Sequence, residues 1–341
     1  MNGSGDSATM ASGLEPIAEQ PLEAAPADVA FYAENYLFAL YDPIADLSLW
    51  THLGTWPADF GIWEDELLCA LPQGSDTLWS YSYLRTPQGD KPGGASLRYR
   101  CVEPFRRWQV TYDGVCVRTP ASEMRTGRVR DGERATVSFE LDVECFTPVW
   151  DPAAAHAAAM AEQAWASQHY QQIVRATGSI EIDGVVTPLA MHGARDHSRG
   201  QRGHANEHFG GHNLFTAAMP SGRAFGILQM WAPDGTLNLN SGYVVEDGVI
   251  HHVEVLEASR LPRSYDLRGE DVSLVLRTNR GEERLTGSVC TSTVATMLRG
   301  LGMAFGGETD SGSPVFTQGF ARWQWGDEHG WGLTERSERF S

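Results

Sequence analysis

The chain has 341 residues, 42% of them hydrophobic and 21% charged, enough apolar material for one large or two medium globular domains. Its formal charge of −18 argues against non-specific binding to nucleic acid or to an anionic membrane, since both need a basic surface. No window approaches the ~18 apolar residues of a membrane-spanning helix, and the single lysine, Lys91, lies in a Pro/Gly turn that suits no Schiff base.

Residues 1–27 are rich in Ala, Gly, Ser, Glu and Pro, with neither a basic start nor an apolar core of signal-peptide length; a disordered leader is expected there. From Asn35 onward, alternation of apolar and polar residues predicts a strand, continued by Ser48–Gly54, Trp63–Leu71, Leu78–Leu84, Ser96–Val102 and Trp108–Tyr112. The clearest alternation is Val137–Cys145, with Val, Phe, Leu, Val and Cys on one face and Ser, Glu, Asp and Glu on the other. The one helical stretch is Ala-rich, Pro152–Tyr170, with Asp151 before it as N-cap. It reads as a connecting helix over 151–169, between an N-terminal β domain at 28–150 and a C-terminal β domain at 170–341. In the latter, Ala224–Trp231, Leu237–Glu246, Val249–Ala258, Asp271–Thr278 and Thr317–Trp325 are strand candidates, and Asp234-Gly235 and Asp247-Gly248 are hairpin turns. The expected fold class is therefore all-β, two barrel- or sandwich-like domains joined by one helix. The five cysteines, widely spaced and without a C-x-x-C pair, read as small buried hydrophobes of a reducing, cytoplasmic compartment.

Chemistry concentrates in Gly193-Ala-Arg-Asp-His-Ser-Arg-Gly-Gln-Arg202, which follows an apolar strand-like run and is expected to be a loop. Asp196 can hold or release a proton, His197 can exchange one near neutral pH, and Arg195, Arg199 and Arg202 can fix a carboxylate. The ordinary alternative is a structural ion pair between Arg195 and Asp196. Five of the 11 histidines fall between His192 and His212, and His204-Ala-Asn-Glu-His208 matches the pattern of inverted zinc peptidases. Glycines at 203, 210 and 211 are poor helix context for a zinc site, so these histidines read as pocket lining, and no metal or cofactor is expected. His169 either caps the helix or meets Asp196 at the domain junction. The tryptophans are mostly core, with a few, Trp231 among them, assigned to a pocket. No Walker A, G-x-G-x-x-G in strand–turn–helix context, or G-x-S-x-G sequence occurs, which removes nucleotide binding and hydrolysis through a serine elbow.

Aromatic-rich opening strands, Glu103-Pro-Phe-Arg-Arg-Trp108, His169-Tyr-Gln-Gln172, Thr177-Gly, Asp183-Gly, Gly193-x-Arg-Asp-His-Ser-x-Gly200 and a C-terminal Gly-Phe-Ala-Arg-Trp followed by Gly-x-Gly-Leu-Thr-Glu335 resemble the carotenoid 1,2-hydratase (hydroxyneurosporene synthase) type of two-domain lipocalin-like protein. The wider group includes kievitone hydratase and fungal Diels–Alderases that form decalin rings. The resemblance implies two packed lipocalin-like domains with an apolar substrate between them, while leaving the reaction open. Where the hydratases tend to carry aromatic residues before their Asp, this chain has Ala194 and Arg195, which suits a more polar substrate.

The expected function is acid–base chemistry on a hydrophobic isoprenoid- or polyketide-like small molecule, foremost hydration or dehydration of a C=C bond. Asp196 is the expected acid, with His197 or His169 orienting it or taking a proton from water. Arg199, Arg202, Tyr170, His208, His212 and Trp231 are the expected substrate-binding residues. A cofactor-free isomerase or cyclase and a non-catalytic lipid or terpenoid carrier are the alternatives, and the chain is compatible with a homodimer.

Overall fold

The computed structural model describes residues 13–126, 129, 131–202, 209–297, 303–307 and 312–340. The first sheet contains β1 (Tyr32–Asp42), β2 (Leu47–Trp56), β3 (Asp59–Ala70), β4 (Asp76–Arg85) and β5 (Leu97–Glu103). It continues through β6 (Arg107–Pro120), β7 (Glu133–Cys145), β8 (Gln168–Ile182) and β9 (Val185–Gln201). The strands run in the order β4-β3-β2-β1-β9-β8-β7-β6-β5, and a further β4–β6 pairing closes the ring, with β5 hung on β6. The second sheet is built alike from β10 (Gly211–Ala218), β11 (Ala224–Trp231), β12 (Leu237–Glu246), β13 (Val249–Ala258) and β14 (Asp271–Thr278). β15 (Gly281–Met297), β16 (Met303–Phe305), β17 (Val315–Trp325) and β18 (Glu328–Glu338) complete it, and β14–β15 closes that ring. Two antiparallel up-and-down barrels result, and closure removes the sheet edges that would otherwise stand open.

The alternation expected for Val137–Cys145 is present in β7, whose inward residues are buried and whose outward ones are exposed. β11 to β14 also follow their sequence patterns, and Asp247 and Gly248, both at positive φ, form the tight turn between β12 and β13. The cysteines are all free, and no helix of the described residues is long and apolar enough to cross a membrane.

Three features differ from the sequence reading. The Ala-rich stretch forms a helix only over Ala153–Ala161, with non-helical backbone at His156, and it joins β7 to β8 within one barrel. Alanine favours helix locally, but β8 and β9 are needed to pair with β7 and β1 and close the first ring, so the chain crosses to the second barrel after Gln201, not at residue 170. The described part of the leader is also packed. Pro16–Glu19 is a 3-10 turn, Ala18 and Glu19 are buried, and Glu19 pairs with Arg195 at 2.6 Å, so a charge that reads as solvated in sequence is a buried plug. Finally, Gly193–Gln201 is strand, not loop.

The first barrel's interior is filled by Tyr36, Phe38, Leu40, Trp63, Trp108 and Leu141 among others. The alternate residues of β1, namely Leu37, Ala39 and Tyr41, belong to a different core, continuous with the second barrel through Trp50, Leu68, Ile173, Phe316 and Phe320. β1 and β9 are thus covered on both faces, and their outer face is the wall between the barrels.

Candidate functional site between the barrels

The glycines that suggested a loop have another task. A Cβ at Gly193 would lie 1.9 Å from the Ala39 carbonyl oxygen, and one at Gly200 2.2 Å from the Trp165 carbonyl. They let neighbouring backbone approach closely and keep the stretch in the ladder. Because side chains alternate along a strand, Arg195, His197 and Arg199 share the face of Tyr36 and Phe38, inside the first barrel, while Asp196 and Ser198 share that of Leu37.

The inward residues form a closed polar network. His197 Nε2 lies 2.9 Å from Glu34 Oε1, its Nδ1 2.6 Å from the Tyr170 hydroxyl, and its ring stacks on Tyr36 at 3.8 Å. Burial lowers the His197 pKa, against the pull of Glu34. Arg199 Nε donates to Glu34 at 2.8 Å, and Arg195 Nε donates to Gln172 Oε1 at 3.1 Å. His197, Tyr170 and Arg199 therefore face the interior of the first barrel, on the opposite side of the strand from Asp196.

The outward residues make two rows across the first barrel. In one, Gln171, Asp196, Leu37, His52 and Glu66 stand opposite one another on successive strands; in the next, His169, Ser198, Asn35, Gly54 and Glu64 do so. Asp196 makes no hydrogen bond to another described residue. Burial, reinforced by the charge of Glu335 across the junction, pushes its pKa up to about 8, against the nearby Arg202 and Arg195 cations. His169 is buried and neutral, its pKa lowered to about 3 chiefly by desolvation, and its Nε2 lies 2.8 Å from Gln171 Nε2. Arg202 donates to Ser198 Oγ at 2.9 Å, and its guanidinium sits 5.6 Å from the Trp165 ring centroid.

The second barrel supplies the facing wall. His212 Nε2 lies 2.6 Å from Glu335 Oε1 and its Nδ1 2.6 Å from Ser337 Oγ, while Gln318 Nε2 donates to Glu335 Oε2 at 2.8 Å. Ser337 Oγ also accepts the His212 backbone N–H at 3.0 Å. Aromatic contacts bridge the barrels: Trp50 with Phe316 at 6.2 Å and Tyr41 with Phe320 at 5.7 Å. A cavity of ≈ 260 Å³ elsewhere on the seam, lined by Thr77, Met124, Tyr265, Leu267, Thr291 and Thr293 among others, contains none of these titratable groups.

Of the residues singled out in sequence, Asp196, His169, Arg202 and His212 thus come together between the barrels. Trp231 does not: it is buried beneath Arg260 and donates to Glu338 at 3.2 Å. His208, with the whole His204–His208 pattern, lies outside the described residues. Sequence reasoning missed Glu335, Ser337 and Gln318, and also His52, Glu64 and Glu66. The available signal was polar residues two apart on a strand, Glu335-x-Ser337 and Glu64-x-Glu66, blurred by the charged Arg336 and Asp65 between them.

Residues 18–339 match the family model described as a domain of unknown function, DUF7064. The chain belongs to this family. No curated protein sequence matches it. Among solved structures, the DUF7064 chain is similar to an AttH-type protein from Nitrosomonas europaea, at 11% identity and TM-score 0.51, over 93% of this chain and 95% of that one. It is similar to CghA crystallised with Sch210972 at 9% identity and TM-score 0.54, over 94% and 95%. Kievitone hydratase from Nectria haematococca aligns at 9% identity and TM-score 0.48, over 96% and 93%. At such identities the likeness to the first two is one of fold, and it extends the resemblance noted in the sequence to a whole two-barrel architecture.

Proposed function

We propose that this DUF7064 chain is an acid–base enzyme acting on a hydrophobic small molecule held between its barrels, adding water to or removing it from a C=C bond. The observation that carries the reading is Asp196, a carboxyl whose pKa burial and Glu335 raise to about 8, on a wall where apolar side chains such as Leu37, Trp50 and Ile173 stand among polar ones. Such an acid can deliver a proton to an alkene carbon. Glu335, held by His212 and Gln318, is the acceptor for the proton of the attacking water, and Trp50 and Phe316 present π faces to the developing cation. Arg202, on the Asp196 side of the cleft, suits a substrate that also carries an oxygen function. The reading is supported by CghA, a protein of similar fold crystallised with Sch210972.

The test starts with extraction and native mass spectrometry of the apolar ligand that co-purifies with the protein. With that compound, Asp196→Asn keeps shape and hydrogen-bonding capacity but cannot donate the acidic proton. A rate loss on the order of 10²–10⁴ with retained binding supports the hydratase reading. A moderate loss points to a cyclase that shapes its substrate, and unchanged affinity with no turnover in either protein points to a carrier.

A further inference from the structure

We propose that His52, Glu64 and Glu66 form a binding site for one divalent transition-metal ion on the wall of the first barrel that faces the second. His52 and Glu66 stand opposite each other on β2 and β3, and Glu64 lies two residues along on the same face. One ligand atom from each of the three lies within 4.8 Å of the others, and His52 Nδ1 is 3.8 Å from Glu66 Oε2. Bonds of ~2.0–2.2 Å to a tetrahedral ion set ligand atoms roughly 3.3–3.6 Å apart, so the side chains need only a small contraction.

An acidic cluster alone would not single out a cation. Here Glu66 is 2% exposed, yet its Oε2 has no hydrogen-bond partner, and neither has His52 Nδ1, so two buried donor atoms aim at one space without another use. The space has a floor without a side chain: a Cβ on Gly54 would lie 2.9 Å from His52 Cε1 and 3.3 Å from Glu64 Oε1. Glu64 is further oriented from outside the cluster, because the Tyr81 hydroxyl donates to its Oε2 at 3.2 Å and leaves Oε1 for the ion.

Glu64 and Glu66 bring two carboxylates together in a space closed to water, a grouping that a dication between them would offset. One imidazole and two carboxylates suit Zn²⁺, Mn²⁺ or Fe²⁺, and three protein ligands leave a coordination position open for an oxygen ligand. The site stands on its own residues and does not depend on the reading of Asp196.

The experiment is titration of chelator-treated full-length protein with ZnCl₂ and, separately, MnCl₂, followed by calorimetry and by metal analysis after gel filtration. The expected result is one equivalent bound by the wild type that Glu66→Gln, an isosteric change, loses or weakens by at least about 100-fold. Glu66→Gln keeps the size of the side chain and adds no buried charge, so its metal-free form should melt no lower than the metal-free wild type; His52→Asn is the second variant and should weaken binding similarly. Metal should raise the melting temperature of the wild type and not that of Glu66→Gln. No saturable binding with either ion, or an equivalent that persists in Glu66→Gln and His52→Asn, as a site within 203–208 would give, overturns the proposal.

Discussion

Replacing Glu19 by Gln removes the only carboxylate that, among the described residues, pairs with Arg195, a guanidinium 1% exposed inside the first barrel, while keeping the size of the side chain. Arg195 keeps Gln172 as a neutral acceptor, but its charge is left in a site built around a countercharge. Breaking one partner of a buried pair costs about 3–5 kcal/mol, because the survivor is neither solvated nor neutralised. The first barrel, from the leader turn to Gln201, falls in the size range where each kcal/mol shifts melting by about 2–4 °C, so the drop expected for that barrel is roughly 6–20 °C. Differential scanning calorimetry of wild type, Glu19→Gln and the double variant Glu19→Met/Arg195→Met reads it out. The double variant, which buries no charge, should recover much of the loss. If Glu19→Gln melts within 1 °C or so of the wild type, the leader turn does not plug the barrel and the reasoning fails.

The Asp196 carboxyl, with Glu335, Arg202 and Arg195 as its charged neighbours and a folded-state pKa of about 8, must contribute stability that is complete below about pH 4 and is lost as pH rises through 8. Asp196→Asn should therefore melt higher than wild type at pH 8.5 and show no advantage at acid pH; equal melting at both pH values would contradict the raised pKa. Activity that needs the protonated acid should fall as pH rises through about 8, and Glu335→Gln, beyond the rate it costs as the proton acceptor, should move that limb to lower pH, read from the pH profile of the residual kcat. Gly193→Ala puts a methyl group 1.9 Å from the Ala39 oxygen, which cannot be met without opening the β1–β9 ladder. A loss on the order of 3 kcal/mol or more is expected, and near-normal denaturant unfolding would refute it.

In the second barrel β11 to β14 and most of β17 were legible because they are strand-length apolar runs bounded by turn residues, and local chemistry decides both. The course of the chain through the first barrel was not. A helix between two β segments looks like a linker, and only the need of β1 for a partner on its free edge shows that β8 and β9 come back to it. The same non-local pairing hid the roles within the site. Asp196 and His197 are neighbours in sequence and lie on opposite faces of the sheet, whereas Asp196 and Glu335 meet across 139 positions of chain. Glu19 was misread for a related reason, since its pairing with Arg195 spans 176 residues and leaves no local pattern.

Among the described residues no strand of one ring is laddered to a strand of the other, so, apart from local backbone bonds such as Val129 N–H to the Phe305 carbonyl, the gap between the barrels is gauged by side chains such as Trp50, Tyr41, Phe316 and Phe320 and not by the fixed ~4.8 Å spacing of a sheet. Exchanging those rings for smaller or larger residues can therefore widen or narrow the chamber while each barrel keeps its own register. An architecture of this kind separates the problem of staying folded from the problem of fitting a molecule.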